Sequence, residues 1–203
     1  MSLPKIRYSR LRYYHFIDSQ DQDMGSLEDI VLNNDTYEPK YFLLGGGFFE
    51  EYLESRGDIE DIDELAPVNL VRGIEDDYVV FKMKFENLTT TTIDGKLPNG
   101  MVKFSQLCHL PIDSPENEVS MELFDLILDG SNSRFVFNYI HLSEVLMSEG
   151  YQQRFEIAFP IDMIKVENNR IQVPCTTNEI LNYIRSNIEH QMRGKSLVNW
   201  PRN

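Results

Sequence analysis

Residues 78–86 read YVVFKMKFE, and this stretch sets the interpretation of the fold. Apolar side chains at Val79, Phe81, Met83 and Phe85 alternate with charged ones over its second half. A period of two is typical of a strand that has one face in water. The stretch therefore predicts a β-strand and places a sheet near the middle of the chain.

Further strand signals flank this stretch. Residues 89–92 are β-favouring, Asp94-Gly95 or Asn99-Gly100 supplies a hairpin turn, and residues 101–108 would form the return strand. A second hairpin is predicted across Asn168-Asn169, because asparagine tolerates the positive φ that such a turn needs. The remaining predicted strands are residues 41–44, 135–139, 155–159, 164–166 and 171–173.

Helices are predicted from capping residues and apolar stripes. The clearest begins with a capping box at residues 176–179, carries Ile180, Ile184 and Ile188 on one face, and ends at Gly194. The other predicted helices are residues 26–32, 48–56, 114–128 and 142–148. No internal repeat is evident. The pattern predicts an α+β fold, with a mainly antiparallel sheet, several short helices and one longer C-terminal helix.

Charge is distributed unevenly along the 203 residues, whose formal net charge is −14. Residues 1–14 carry four positive charges and no acid, whereas residues 15–79 hold 18 acids against 3 bases, a net of −15. The remainder is nearly balanced. We expect a single domain over residues 1–203. Its parts are a basic N-terminal arm 1–14, an acidic helix and loop segment 15–79, a β-rich core 80–175, and a C-terminal helix and tail 176–203.

Composition excludes several classes of protein. The acid excess argues against a chain that coats nucleic acid with its whole surface. No apolar run approaches the length of a membrane span, and the charged start is unlike a signal peptide. The two cysteines, Cys108 and Cys175, suit a reducing compartment. We expect a soluble protein of the host cytoplasm or of a virion.

Two segments have the residue types of a ligand site but not the pattern. Gly45-Gly46-Gly47 lies where a phosphate loop would lie, yet Glu50 and Glu51 follow it and would repel a nucleotide. Residues 58–64 are rich in carboxylates but lack the ordered alternation and central glycine of a calcium loop. We therefore predict no cofactor and no metal.

Catalytic signatures are also weak. Adjacent Cys108 and His109 would point to opposite faces of a strand, and His141 with Glu144 lacks a second ligand pair. We predict no catalytic residues. An enzyme with an unfamiliar site around His109, Asp113 and Cys108 is the third hypothesis for the function.

The charge blocks predict a contact surface. Arginine and tyrosine are both enriched at interface hot spots, and an acidic block supplies the complement. The same residue types can also stack on single-stranded nucleic acid, which we expect only at the basic arm. The interface candidates are Arg7, Arg10, Arg12, Tyr13 and Tyr14 in the arm, Asp58, Glu60, Asp61, Asp63 and Glu64 in the acidic segment, and Trp200 in the tail.

These observations favour a non-enzymatic structural or assembly subunit present in several copies. Its partners would be other copies of itself or other subunits, without a membrane. The most concrete version is a phage or viral virion component, such as a connector, neck, tail or capsid-associated protein. That version rests on composition: alanine occurs twice, whereas asparagine and isoleucine together occur 32 times, a bias that is common in chains from AT-rich genomes, including many phages and viruses. The alternative is an acidic inhibitor of a basic nucleic-acid-processing enzyme, either a DNA mimic or an immunity-type protein.

Overall fold

The chain is mostly β. The computed structural model describes residues 5–45, 56, 62–88, 90–93, 96–108, 110, 112–113, 121–139, 156–186 and 197–199. Among these described residues, strands account for 50% and helical segments for 20%. The prediction of an α+β fold is therefore wrong, and of the longer C-terminal helix that it included the structure describes ten residues.

Sixteen strands and three α-helices are described. The strands are β1 (Ile6–Arg7), β2 (His15–Ile17), β3 (Ser26–Asn33), β4 (Pro39–Gly45), β5 (Ile62–Pro67), β6 (Val71–Glu75), β7 (Tyr78–Phe81), β8 (Thr90–Ile93), β9 (Met101–Lys103), β10 (Ile112–Asp113), β11 (Met121–Leu128), β12 (Arg134–Tyr139), β13 (Glu156–Pro160), β14 (Lys165–Glu167), β15 (Arg170–Gln172) and β16 (Leu197–Asn199). The helices are α1 (Tyr8–Leu11), α2 (Phe104–Leu107) and α3 (Thr177–Ser186).

The chain divides into two compact units. Unit 1 comprises Met1–Ser105 with Leu128–Ser133, and unit 2 comprises Gln106–Ile127 with Arg134–Asn203. Both the basic arm and the acidic segment fall in unit 1. Most of the charge imbalance therefore lies in unit 1.

Unit 1 contains two sheets. The larger has the strand order β8-β5-β4-β3-β9, and all its described pairs are antiparallel. The smaller has the order β2-β7-β6, in which β2 runs parallel to β7. Strand β3 carries a bulge between Leu27 and Asp29. An extra residue at a bulge disrupts the alternation of side chains, so the sequence of β3 does not show a period of two.

Unit 2 contains antiparallel pairs β11–β12 and β12–β13, and β16 runs parallel to β13. Its smaller sheet has the order β10-β15-β14, with β10 parallel to β15. Strand β11 also has a bulge, between Leu123 and Asp125.

Two predicted helices are strands. Residues 26–32 form most of β3, and residues 121–128 of the predicted helix 114–128 form β11. Both strands are buried along most of their length; Ile30, Val31 and Leu32, for example, are 0% exposed. A strand buried on both faces reads as a continuous apolar run, which periodicity alone does not distinguish from a buried helix.

Other local predictions have mixed outcomes. The hairpin across Asn168-Asn169 is confirmed, with both asparagines at positive φ. The strand at residues 78–86 is shorter than predicted, because β7 ends at Phe81 and residues 85–87 form a 3-10 turn. The return strand 101–108 comprises only β9, which pairs with β3 and is followed by α2.

The predicted C-terminal helix is represented by α3, which has ten residues. Its capping box is formed: the Glu179 amide donates to Thr176 Oγ1 at 3.2 Å, and the Thr176 amide donates to Glu179 Oε2 at 2.7 Å. The predicted continuation to Gly194, and the predicted helices 48–56 and 142–148, lie outside the described residues.

Each unit has its own hydrophobic core. Val31, Leu43 and Leu65 pack together in unit 1. In the same unit, Phe16, Phe42 and Phe81 form an aromatic cluster, with ring centroids 5.2 to 6.4 Å apart. The corresponding core of unit 2 comprises Ile127, Val136 and Ala158.

Candidate protein interface

The basic arm is held in place by one helical turn. Leu11 in α1 is 0% exposed, and the Tyr8 hydroxyl donates to the Glu28 carbonyl at 3.0 Å. The Tyr8 ring also contacts Phe104 edge to face, with centroids 5.2 Å apart. Because Tyr8 and Leu11 bury the apolar face of α1, the residues between and after them in the sequence lie on the outer side of the helical turn.

Three of the five predicted interface residues of the arm are exposed to solvent. Arg10 and Arg12 are exposed, and Tyr13 is 84% exposed. Neither arginine forms an ion pair with any described residue, whereas ion pairs do form at Lys40–Glu38 and Arg72–Glu75. We call Arg10, Arg12 and Tyr13 the basic patch.

The other predicted arm residues are less accessible. Arg7 and Tyr14 are both half-buried, and Arg7 has an interaction partner. The Tyr14 amide donates to the Leu11 carbonyl at 3.0 Å, which continues the helical turn into β2. Arg7 and Tyr14 therefore contribute to the packing of the arm and add little to its exposed surface.

An exposed aromatic pair follows the basic patch. The His15 and Tyr78 rings lie 5.5 Å apart, and Tyr78 is 45% exposed. The His15 amide donates to the Asp77 carbonyl at 2.9 Å, which fixes the start of β2 against the turn between β6 and β7. Tyrosine rings with one open face are common anchors of protein contacts.

The predicted acidic complement is not brought together by the described residues. Asp63 in β5 is only 3% exposed, so its carboxylate is not available to a basic partner. Glu64 is half-buried, and its Oε2 is buried without a hydrogen-bond partner among the described residues. Asp58, Glu60 and Asp61 lie outside the described residues, as does Trp200.

A buried carboxylate that the sequence analysis did not single out fixes the loop after β2. Asp18 is 1% exposed, and it accepts hydrogen bonds from the amides of Gln20 (2.6 Å), Gln22 (3.0 Å) and Phe85 (2.9 Å). Burial by itself raises the pKa of Asp18, but these three donors and the nearby Lys84 together lower it below its ordinary value. Asp18 therefore has a structural role as an ionised loop cap.

Asp29 and Asp125 are further buried carboxylates, and no motif in the sequence indicates them. Asp29 Oδ1 accepts from the amides of Ile30 (2.7 Å) and Ser105 (3.3 Å), and Asp125 Oδ1 accepts from the Leu126 amide (2.9 Å). Each sits at the bulge of its strand. An aspartate inside an apolar strand was the available signal, since a buried acid needs backbone donors.

The catalytic alternative gains no support. Burial and then Glu179 raise the pKa of Cys175 to about 12, so this thiol stays protonated at neutral pH and is a poor nucleophile. Cys108 is half-buried. Of Asp113 only the backbone in β10 is described, and His109, His141 and Glu144 lie outside the described residues.

The ligand-loop alternatives have a simpler explanation where they are described. A Cβ at Gly45 would overlap the Glu28 carboxylate, and one at Gly25 would overlap the Gly45 carbonyl oxygen. Gly25, at a φ of +95°, is therefore required by the close backbone approach of Gly45, whereas at Gly45 the Glu28 side chain can move aside. Among the described residues no three histidine, cysteine, aspartate or glutamate side chains cluster as a metal site.

The comparisons assign no family. No protein-family model matches the chain, and no curated protein is significantly similar to it. Among the described residues, no helix has both the length and the apolar character needed to cross a membrane.

Proposed function

We propose that this chain is a non-enzymatic subunit of a multi-copy assembly and that the basic patch is one of its contact surfaces. The observation that carries the proposal is the pair Arg10 and Arg12, which are exposed and form no ion pair with any described residue on a chain of net charge −14. Acids are abundant nearby in the sequence, yet the described ones do not neutralise these two arginines. They are therefore available to an acidic surface on another molecule.

The rigidity of the arm supports this proposal. Ordering flexible side chains and loops on binding costs free energy, and a surface that is already ordered avoids part of that cost. Leu11, Tyr8 and the hydrogen bond at His15 hold the backbone on both sides of the patch. Arg10, Arg12 and Tyr13 are thus presented on a fixed backbone.

The partner that fits the basic patch is a protein with an acidic surface. Arginine pairs with carboxylates in a bidentate geometry, and Tyr13 supplies apolar contact area. Arginine–carboxylate pairs at the solvent-exposed rim of an interface weaken as the salt concentration is raised. A neighbouring copy of the chain, itself acidic, meets this requirement, as does another acidic subunit. A virion component remains the most concrete version, and it is supported by composition alone.

The inhibitor alternative has less support. It needs a row of solvated carboxylates, and Asp63, a central member of the predicted acidic block, is buried in β5. Nucleic acid at the basic patch is a further outcome that an experiment distinguishes, since binding to phosphates falls steeply with salt and requires no acidic protein.

The experiment is the native mass of the purified chain at low and high salt. We expect a species of several copies at low salt that dissociates as salt rises. The double variant Arg10→Glu/Arg12→Glu should abolish that species, whereas Lys165→Glu, which reverses an exposed cation in unit 2, should leave it intact. Lys165→Glu also controls for added negative charge.

Three results would count against the proposal. The first is a mass of one chain at every concentration and salt. The second is an assembly that survives the double arginine reversal. The third is a shift of the wild-type chain by single-stranded oligonucleotide that the double reversal removes, which would assign the patch to nucleic acid.

A further inference from the structure

We infer that the chain contains two copies of one β-rich repeat, residues 6–81 and 102–173, and that only the first copy carries the basic patch. The expectation of no internal repeat is thereby corrected, because the strand registers align short stretches whose similarity is not evident from the sequence alone. The correspondence starts at two similar stretches, RYSRL at residues 7–11 and KFSQL at residues 103–107. The last four residues of each stretch form a helix, α1 in the first and α2 in the second. The two helices are each four residues long and are separated by 96 positions.

The bulged strands repeat at the same offset. Residues 27–32 read LEDIVL in β3, and residues 123–128 read LFDLIL in β11. Both strands have eight residues, and both have their bulge directly before the third letter of these stretches. That letter is Asp29 in one copy and Asp125 in the other, and each aspartate accepts a hydrogen bond from the amide of the next residue.

The strand registers repeat pair by pair. Ile30 pairs with Phe42 and Phe42 with Ala66 in the first copy; Leu126 pairs with Phe135 and Phe135 with Phe159 in the second. A slip of one residue would move every side chain to the opposite face of the sheet. Agreement across both pairings is therefore not a coincidence of composition.

The ends of the copies agree as well. Residues 67–81 read PVNLVRGIEDDYVVF, and residues 160–173 read PIDMIKVENNRIQV. In each copy the proline ends a strand, a 3-10 turn of three residues follows, and a hairpin begins after it. The second strand of each hairpin, β7 in the first copy and β15 in the second, runs parallel to a strand that comes before the bulged strand in the sequence. Phe16 in β2 pairs with Val79 in β7, and Ile112 in β10 pairs with Ile171 in β15.

The cores occupy equivalent positions. The cluster Val31, Leu43 and Leu65 of unit 1 maps, by these registers, onto Ile127, Val136 and Ala158 of unit 2. The same three strands thus contribute one residue each, at the same register position, to both cores.

Two length changes account for the whole alignment. The offset is 96 residues through Leu32 and Leu128, and it falls to 93 across the turn after the bulged strand, between β3 and β4 in the first copy and between β11 and β12 in the second. It falls to 92 at Gly73, where the first copy has a bulge in β6 and the second copy has one residue fewer. Insertions at turns and bulges are the ones that a β-fold tolerates.

The copies differ where the basic patch lies. Arg10 and Arg12 correspond to Gln106 and Cys108, and Tyr13 corresponds to position 109. Gln106 is exposed, as Arg10 is, but it carries no charge. The chain therefore offers one basic patch and not two equivalent ones. This second part of the inference rests on the proposed function, whereas the repeat itself does not.

A pair of single-residue deletions tests the repeat. Deleting Gly73 gives the first copy the length of the second, so we expect a folded chain with a small decrease in unfolding midpoint. Deleting Asn69, four residues earlier and exposed, removes a position that both copies retain, so we expect a much larger decrease or loss of folding. Equal damage by the two deletions, measured by circular dichroism and thermal unfolding, would overturn the repeat.

An exchange between copies tests the location of the patch. Arg10→Gln/Arg12→Ser gives the first copy the uncharged side chains of the second, with serine in place of the thiol. We expect an unchanged unfolding midpoint together with loss of the low-salt assembly. Persistence of the assembly would overturn the single patch and the proposed function while leaving the repeat intact, and a large fall in midpoint would show that the arginines are structural.

Discussion

The bulge aspartate Asp29 gives the sharpest prediction about stability. Asp29→Ala removes the acceptor of the Ile30 amide at 2.7 Å and of the Ser105 amide at 3.3 Å. A buried amide left unpaired costs about 1–3 kcal/mol, and the half-buried Ser105 amide can recover part of its loss from water. We therefore expect a loss of about 3 kcal/mol. For a chain of this size that corresponds to a fall in Tm of about 6–12 °C.

The assay is urea unfolding of Asp29→Ala, Asp29→Asn and the wild type, followed by circular dichroism. Asparagine keeps one oxygen as acceptor, so Asp29→Asn should lose only about 1 kcal/mol. Asp125→Ala, at the equivalent bulge, leaves the buried Leu126 amide without this acceptor and should lose at least about 1–3 kcal/mol. A loss below about 1 kcal/mol for Asp29→Ala, with an unchanged m-value, would refute the reasoning. So would an asparagine variant as unstable as the alanine variant.

Three further predictions concern single residues. The pKa of Asp18 is lowered, so the stability that its carboxylate contributes is present above the ordinary pKa and is lost as the pH falls through the lowered value. Asp18→Asn should therefore flatten the acid side of a plot of Tm against pH. An unchanged plot would contradict this expectation. Cys175, with a pKa raised to about 12, should resist iodoacetamide at mildly alkaline pH until the chain unfolds, and rapid labelling of the native chain by peptide mass analysis would be inconsistent with its burial. Thr176→Ala removes the capping box of α3 and should lower the free energy of unfolding in urea by about 1 kcal/mol, while Thr90→Ala, an exposed strand position, serves as the control.

The sequence was sufficient where local chemistry determines the backbone. The turn at Asn168-Asn169 was predicted because few residues other than asparagine and glycine accept positive φ at two successive positions. The capping box at Thr176 and Glu179 was predicted because it uses only side chains within one turn. Both features depend on neighbours in the sequence and not on the rest of the fold.

The sequence was insufficient where burial comes from distant strands. Residues 26–32 were predicted as a helix because Ile30, Val31 and Leu32 form an unbroken apolar run. That run is unbroken because strands on both sides and side chains on both faces cover it, and these neighbours are contributed by other parts of the chain. Burial on both faces also gives residues 121–128 a nearly continuous apolar run, which predicts a helix where β11 lies. The two copies therefore lead to the same wrong prediction.

The candidate interface was predicted by residue type but not by accessibility. Composition drew attention to Arg10, Arg12 and Tyr13, which are exposed, and equally to Arg7, Tyr14 and Asp63, which are not fully available. Which side of a helical turn is buried depends on what packs against Leu11 and Tyr8. Charge along the sequence could not supply that information.

The repeat has a consequence for how this surface can change. In a homodimer every substitution appears twice, so a change that favours a partner on one face alters the symmetry-related face too. Two copies joined in one polypeptide are released from that constraint. Gln106 and Cys108 can keep the second copy neutral while Arg10 and Arg12 charge the first, and each copy can then be selected for a different task.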